Sequence, residues 1–163
     1  MLMQSPEAFL SAVPRLGSLL GLDPGTKTIG VAVSDPMRGH ASPLETIQRT
    51  KFALDSEIIE KLIDKRQIVG IVVGMPINMS GEAGPRAQSV RAFSRNLEDL
   101  VPLPFMYWDE RLSTAAVERA MIEADLSRAK RAARVDALAA AHILQGALDR
   151  LAVLEDERLN EDG

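Results

Sequence analysis

The 163-residue sequence predicts one α/β domain built on a mixed sheet, and two stretches carry that prediction. From Ser18 to Asp35 two apolar runs are joined by Asp23-Pro24-Gly25-Thr26. Pro24 presets φ and Gly25 accepts positive φ, so the chain reverses tightly and the runs pair antiparallel. Further on, a segment with apolar residues at helical spacing feeds Gln67 to Gly74, which is β-branched and apolar on both faces. That is the mark of a buried parallel strand reached by a helical crossover.

The elements follow in order. Ser5-Pro6-Glu7 is a helix start, and Phe9, Leu10 and Val13 form an apolar stripe, giving an appended N-terminal helix within 1–14. The two strands come next, Leu19 to Leu22 and Thr28 to Ser34. His40 to Ile47 reads as an edge strand, because Pro43 cannot donate to a central ladder. Residues 53–65 predict an amphipathic helix with Leu54, Ile58, Ile59, Leu62 and Ile63 on its apolar face. The central strand over 67–74 leads into a turn-rich loop, Met75 to Gly84, long for such a link and expected to be mobile. Pro85 opens a helix running through Leu97, with Val90, Phe93 and Leu97 inward and Arg86, Arg91 and Arg95 on its surface. Leu103 to Trp108 predicts the last strand, after which Ser113 or Thr114 caps a helix to about Ala124. A basic linker ends at Arg134, and Val135 to Leu151 is a strong helix whose alanines allow close packing. Glu155 to Gly163 holds five acids and little to bury, so it reads as a flexible acidic tail. The whole is a single domain, 1–163, with its core over about 17–151.

Composition narrows the chemistry. With no cysteine, disulfides, thiolate zinc sites and cysteine nucleophiles are excluded; with only His40 and His142, so is a histidine-rich metal centre. A bound metal must be held by oxygen, which points to Mg²⁺ or Mn²⁺. The net charge of −4 gives no global attraction to nucleic acid, so binding needs a local basic patch. One Trp and one Tyr offer few platforms for stacking bases. No apolar run approaches the ~20 residues needed to span a bilayer and no signal peptide is visible, so the expectation is a cytoplasmic protein without a membrane partner.

Three acids stand at element ends: Asp23 after the first strand, Glu110 after the last, and Asp136 at the start of the final helix. Each has an ordinary reading. Asp23 can simply begin its turn, and Glu110 and Asp136 can be helix-N-terminal acids favoured by the dipole. Carboxylates at strand ends of one sheet can also converge, and they then repel unless divalent cations sit between them. With one or two such ions a cluster of this kind hydrolyses phosphodiesters without a nucleophilic side chain.

A longer correspondence bears on the choice. Leu22 to Asp35 (Leu-Asp-Pro-Gly-Thr-Lys-Thr-Ile-Gly-Val-Ala-Val-Ser-Asp), Ile71 to Met79, Gly84-Pro85-Arg86-Ala87, Asp109-Glu110-Arg111-Leu112-Ser113-Thr114, and Val135 to Ala140 with Ile143-Leu144 occur in that order. Together they resemble the signatures of the YqgF/RuvX family of the ribonuclease H-like superfamily. The first alone also resembles the phosphate loop of actin-like kinases, which need two domains of this size. The family resemblance implies a ribonuclease H-like fold: a five-stranded mixed sheet, first three strands antiparallel, with helices on both faces. It implies Asp23, Glu110 and Asp136 as the catalytic and metal-holding triad. It further implies a nuclease maturing the 5′ end of pre-16S rRNA during ribosome biogenesis, associated with ribosome precursors, with Holliday junction resolution on branched DNA as the alternative. A non-catalytic nucleic-acid-binding module is a second alternative, and a phosphate-loop ATP binder a third. Pro24 departs from the larger apolar residue common in relatives, and the segment before Arg134 is richer in Arg and Ala than many.

For substrate grip the candidates are Lys27, Arg111, Arg128, Lys130, Arg131 and Arg134, whose charges would neutralise phosphates locally; a solvated charge run is the competing reading. Thr26, Thr28, Asn78 and Ser113 are weaker polar candidates. His142, six residues past Asp136, falls on a different helix face and reads as a packed or surface histidine. Monomer and homodimer are both compatible with the sequence, the dimer being favoured if two bonds of a junction are cut in register.

Overall fold

Ser5 begins the first helix, α1 (Pro6–Ala12), by accepting a hydrogen bond from Ala8 N at 3.2 Å, with proline in the first turn. The computed structural model describes residues 5–76, 84–110 and 128–162, the side chains of the last segment from Asp136 onward. The expected helix over 113–124, the loop residues 77–83 and Arg111 lie outside the described residues.

The sheet contains β1 (Ser18–Pro24), β2 (Thr28–Ser34), β3 (Ala41–Gln48), β4 (Ile68–Met75) and β5 (Phe105–Asp109), in the order β3-β2-β1-β4-β5. The first three strands are antiparallel neighbours, whereas β4 and β5 run parallel to β1. The predicted turn lets Asp23 pair with Gly30 and Pro24 with Ile29. Pro43 sits on the edge strand opposite Ala32, where the register shifts between Val31 and Ala32; a bulged edge is where a residue without an N–H is tolerated.

Because side chains alternate along a strand, each central strand feeds two cores. Leu19, Val72, Met106 and Trp108 face α1 and the last helix, α4 (Arg128–Asp162), meeting Phe9, Ala140, Ile143, Leu144 and Ala147. Leu20, Leu22, Ile71, Val73 and Phe105 face α2 (Phe52–Arg66) and α3 (Pro85–Glu98), meeting Ile59, Val90, Phe93 and Leu97. Helices therefore cover both faces. Each large apolar side chain so buried contributes roughly 1.5–3 kcal/mol, which makes helix docking the main support of the sheet.

Four expectations need correction. Leu54 and Ile58 are exposed by 53% and 38%, while Asp55 and Ser56 are buried in their place. Asp55 accepts from the Thr50 backbone N–H at 3.1 Å and from its hydroxyl at 3.2 Å, so the start of α2 is turned inward to satisfy that carboxylate. The supposed basic linker over 128–134 is the opening of α4, and the supposed tail is helical to Asp162. Ala, Arg, Lys, Leu and Glu dominate both segments and all favour helix, with no proline to interrupt them. Finally, Asp136–Glu161 is long and apolar enough by composition to cross a membrane; here its apolar side chains pack on the sheet and on α1.

Candidate active site

The parallel strands β1, β4 and β5 end on one side of the sheet. Leu22 pairs with Val73 and Met75 with Asp109, so Asp23, at the end of β1, and Glu110, one residue past β5, are delivered to a common edge. Gly74 lies between them. A Cβ there would stand 2.7 Å from Ile143 Cδ1, so the bare backbone leaves room for α4, while Glu110 Oε1 would lie at an ordinary contact distance of 3.4 Å.

Arg86, from the first turn of α3, reaches into this edge. Its Nη2 lies 4.0 Å from Asp23 Oδ1 and 3.9 Å from Glu110 Oε1. Asp23 is 6% exposed and Glu110 22%, so, among the described residues, the two carboxylates share the charge of the Arg86 guanidinium in a partly desolvated cleft. Without a cation their mutual repulsion would oppose burial.

Asp136 arrives from the other face of the sheet. α4 crosses β2 so closely that a Cβ on Gly30 would stand 2.0 Å from the Asp136 carbonyl oxygen. Gly30 pairs with Asp23, so this crossing puts Asp136 beside the same strand end. Its Oδ2 accepts a 2.7 Å hydrogen bond from the Thr28 hydroxyl, which fixes the side chain against β2.

The turn between β1 and β2 is held on both sides. Gly25 N donates to Thr28 O at 2.8 Å, Arg49 N donates to Lys27 O at 2.9 Å, and Arg49 Nη1 donates to Gly25 O at 2.5 Å. The Arg49 guanidinium also lies 5.3 Å above the Phe93 ring, so the core itself anchors the loop that carries Asp23.

A family model described as "RuvX: Holliday junction resolvase" matches residues 17–150. The chain belongs to the RuvX family. A relative from Rhodobacter capsulatus is 62% identical over 154 residues, 94% of this chain and 97% of its own length. One from Roseobacter denitrificans is 52% identical over 163 residues, 99% and 100% of the two lengths. Both carry the name "Putative pre-16S rRNA nuclease". Among solved structures, Thermus thermophilus RuvC in complex with a Holliday junction substrate aligns with a TM-score of 0.55 at 15% identity, covering 83% of this chain and 96% of that one. The yeast mitochondrial Holliday junction resolvase Ydc2 aligns with 0.55 at 14% identity, covering 94% and 87%. At these identities the likeness is one of fold, and the ribonuclease H-like sheet implied by the sequence motifs is borne out.

In this RuvX-family chain the fold joins Asp23 and Glu110 through one cation and sets Asp136 beside them on α4, bonded to Thr28. The three do not form a finished cage: among the described residues no group of three His, Cys, Asp or Glu stands close enough to ligate one ion. Lys27 is exposed on the turn next to Asp23. Arg128, Lys130, Arg131 and Arg134 fall in the first turns of α4, on the approach to Asp136 along the helix. His142 is half-buried on the same helix, two turns beyond Asp136. Arg49 and Arg86 are the residues that sequence reasoning passed over. Arg86 had a signal, its place in the Gly-Pro-Arg-Ala motif; Arg49 had none, since its partners lie 24 and 44 positions away.

Proposed function

We propose that this RuvX-family protein is a divalent-metal-dependent hydrolase that cleaves phosphodiester bonds in RNA, maturing the 5′ end of pre-16S rRNA. The observation that carries the chemistry is the pair of carboxylates, Asp23 and Glu110, held at the ends of β1 and β5, on either side of β4, with the Arg86 guanidinium between them. Their donors are all oxygen and their charge exceeds that of the guanidinium they share, a set suited to Mg²⁺ or Mn²⁺. Such an ion, when bound, supplies Lewis-acid polarisation of the phosphate and a nucleophilic water at neutral pH.

The protein's own residues do the rest. Asp23 and Glu110 would hold the cation, from positions fixed by the β1 turn and by the end of β5. Asp136, its rotamer locked by Thr28, adds a third negative group on the same edge. Lys27 and the basic start of α4 draw the RNA backbone towards the acids by local neutralisation of phosphates. The reading places the protein in the cytoplasm, where precursor rRNA is made.

RNA is preferred to branched DNA because relatives that match nearly the whole chain bear the rRNA nuclease name. Junction resolution is the second reading, favoured by the description of the family model. One assay separates them: wild type and Asp23→Asn, with Mn²⁺, on a 5′-extended 16S precursor and on a four-way DNA junction. RNA cleavage abolished by the substitution is the expected result. Mutation-sensitive cleavage of the junction alone would replace it with the second reading, and cleavage of neither would leave a binding module.

A further inference from the structure

Among the described residues, Arg86 is the cation that stands between Asp23 and Glu110, and three features suggest that it does not stay there. Its distances of 4.0 and 3.9 Å exceed the reach of a directed N–H···O hydrogen bond, so it is held by charge alone. Its side chain is 47% exposed, against 6% for Asp23 and 22% for Glu110, so it enters the cleft from solvent and can leave by the same route. It springs from the first turn of α3, directly after Pro85, at the cleft's rim.

A divalent cation bound by the same two carboxylates would lie within a few ångströms of the guanidinium, and the two positive charges would repel strongly. Both cannot occupy the cleft. A displaced guanidinium at the rim faces the position of an incoming phosphodiester, whose oxygens match its planar fork better than they match a point charge. We propose that Arg86 is a positioning residue that changes partners: it neutralises Asp23 and Glu110 in the metal-free protein, yields them to the divalent ion, and then binds a phosphate of the substrate backbone. This rests on the metal-dependent nuclease reading above.

The test uses the full chain and two readouts other than cleavage. Mn²⁺ affinity is measured by calorimetry for wild type, Arg86→Gln and Arg86→Lys. Affinity for the 5′-extended precursor is measured with Ca²⁺ in place of Mn²⁺. Removing an ion pair of this exposure should tighten Mn²⁺ binding by about 2- to 5-fold in Arg86→Gln and leave Arg86→Lys near wild type. RNA affinity should fall several-fold in Arg86→Gln and less in Arg86→Lys, which keeps the charge and loses the fork. Unchanged or weaker Mn²⁺ binding in Arg86→Gln would overturn the exchange, as would unchanged RNA affinity. A wild type that binds no Mn²⁺ would bring down the metal-nuclease reading and this proposal together, which distinguishes that failure from the other two.

Discussion

Asp23, Glu110 and Asp136 occupy positions that cost stability unless something positive is near, because Asp23 is buried with the half-buried Glu110 close by and the third is pinned at the same strand end. Neutralising one of the pair should therefore separate activity from folding. Glu110→Gln is expected to lower cleavage by on the order of 10³-fold while its melting temperature stays at or above that of wild type, as read by parallel kinetics and thermal melts. A second carboxylate tests burial away from the site. Glu98 is 6% exposed, and that burial raises its pKa above the ordinary carboxylate range. The folded state thus holds the proton more tightly than the unfolded chain, and stability falls as pH rises from the ordinary carboxylate pKa through the raised one. Glu98→Gln should melt higher than wild type at pH 7, with the gap closing as pH is lowered into the carboxylate range. The acids were legible in the sequence because each stands at an element boundary, Asp23 and Glu110 after apolar strands and Asp136 ahead of an apolar helix. Arg86 differs from Arg91 and Arg95 in the sequence only by its place in the Gly-Pro-Arg-Ala motif, and it is the docking of the first turn of α3 that brings it to the acids.

The elements that matter most are β2 and α4, where backbone meets backbone. Gly30 has no room for a methyl group: an added Cβ would overlap the Asp136 carbonyl oxygen at 2.0 Å. Overpacking against backbone typically costs about 1–3 kcal/mol and here belongs at the upper end. Gly30→Ala should lower the melting temperature by roughly 5–10 °C for a chain of this size and displace Asp136 with the helix, so cleavage falls further than stability alone accounts for. Differential scanning calorimetry with activity measured well below the transition checks both. Strands and turns were read well because proline, glycine and β-branched runs punctuate them sharply. The apolar pattern predicts α4 too short at both ends because charge clusters interrupt it there, although Arg, Lys, Glu and Ala are good helix formers. In α2 the 3.6-residue pattern admits two neighbouring faces. The buried Asp55–Thr50 bonds, invisible to hydrophobic periodicity, decide for the one that leaves Leu54 and Ile58 outside.

At the scale of the whole molecule, a net charge of −4 must coexist with a polyanionic substrate. By the proposed function, attraction then comes from few residues: Lys27, Arg111, Arg128, Lys130, Arg131 and Arg134, with Arg86 as a seventh. Seven phosphate contacts set a ceiling of about −5 to −6 on the slope of log affinity against log salt concentration. Binding of the precursor measured from low to moderate salt should stay under that limit, and loss of Lys27 should reduce the slope by close to one. A steeper slope would mean that other cations grip the RNA.

The hydrogen bond from Thr28 to Asp136 spans 108 positions of the chain. A growing polypeptide acquires Asp23 early and Glu110 later, but its third acid rides on a helix that docks only once Ile143, Leu144 and Leu148 are available to cover the sheet. An unfinished copy still tethered to its ribosome therefore has no complete centre. For an enzyme whose proposed substrate is the RNA of ribosomes under assembly, the proposed centre is thus the last part of the molecule to be finished.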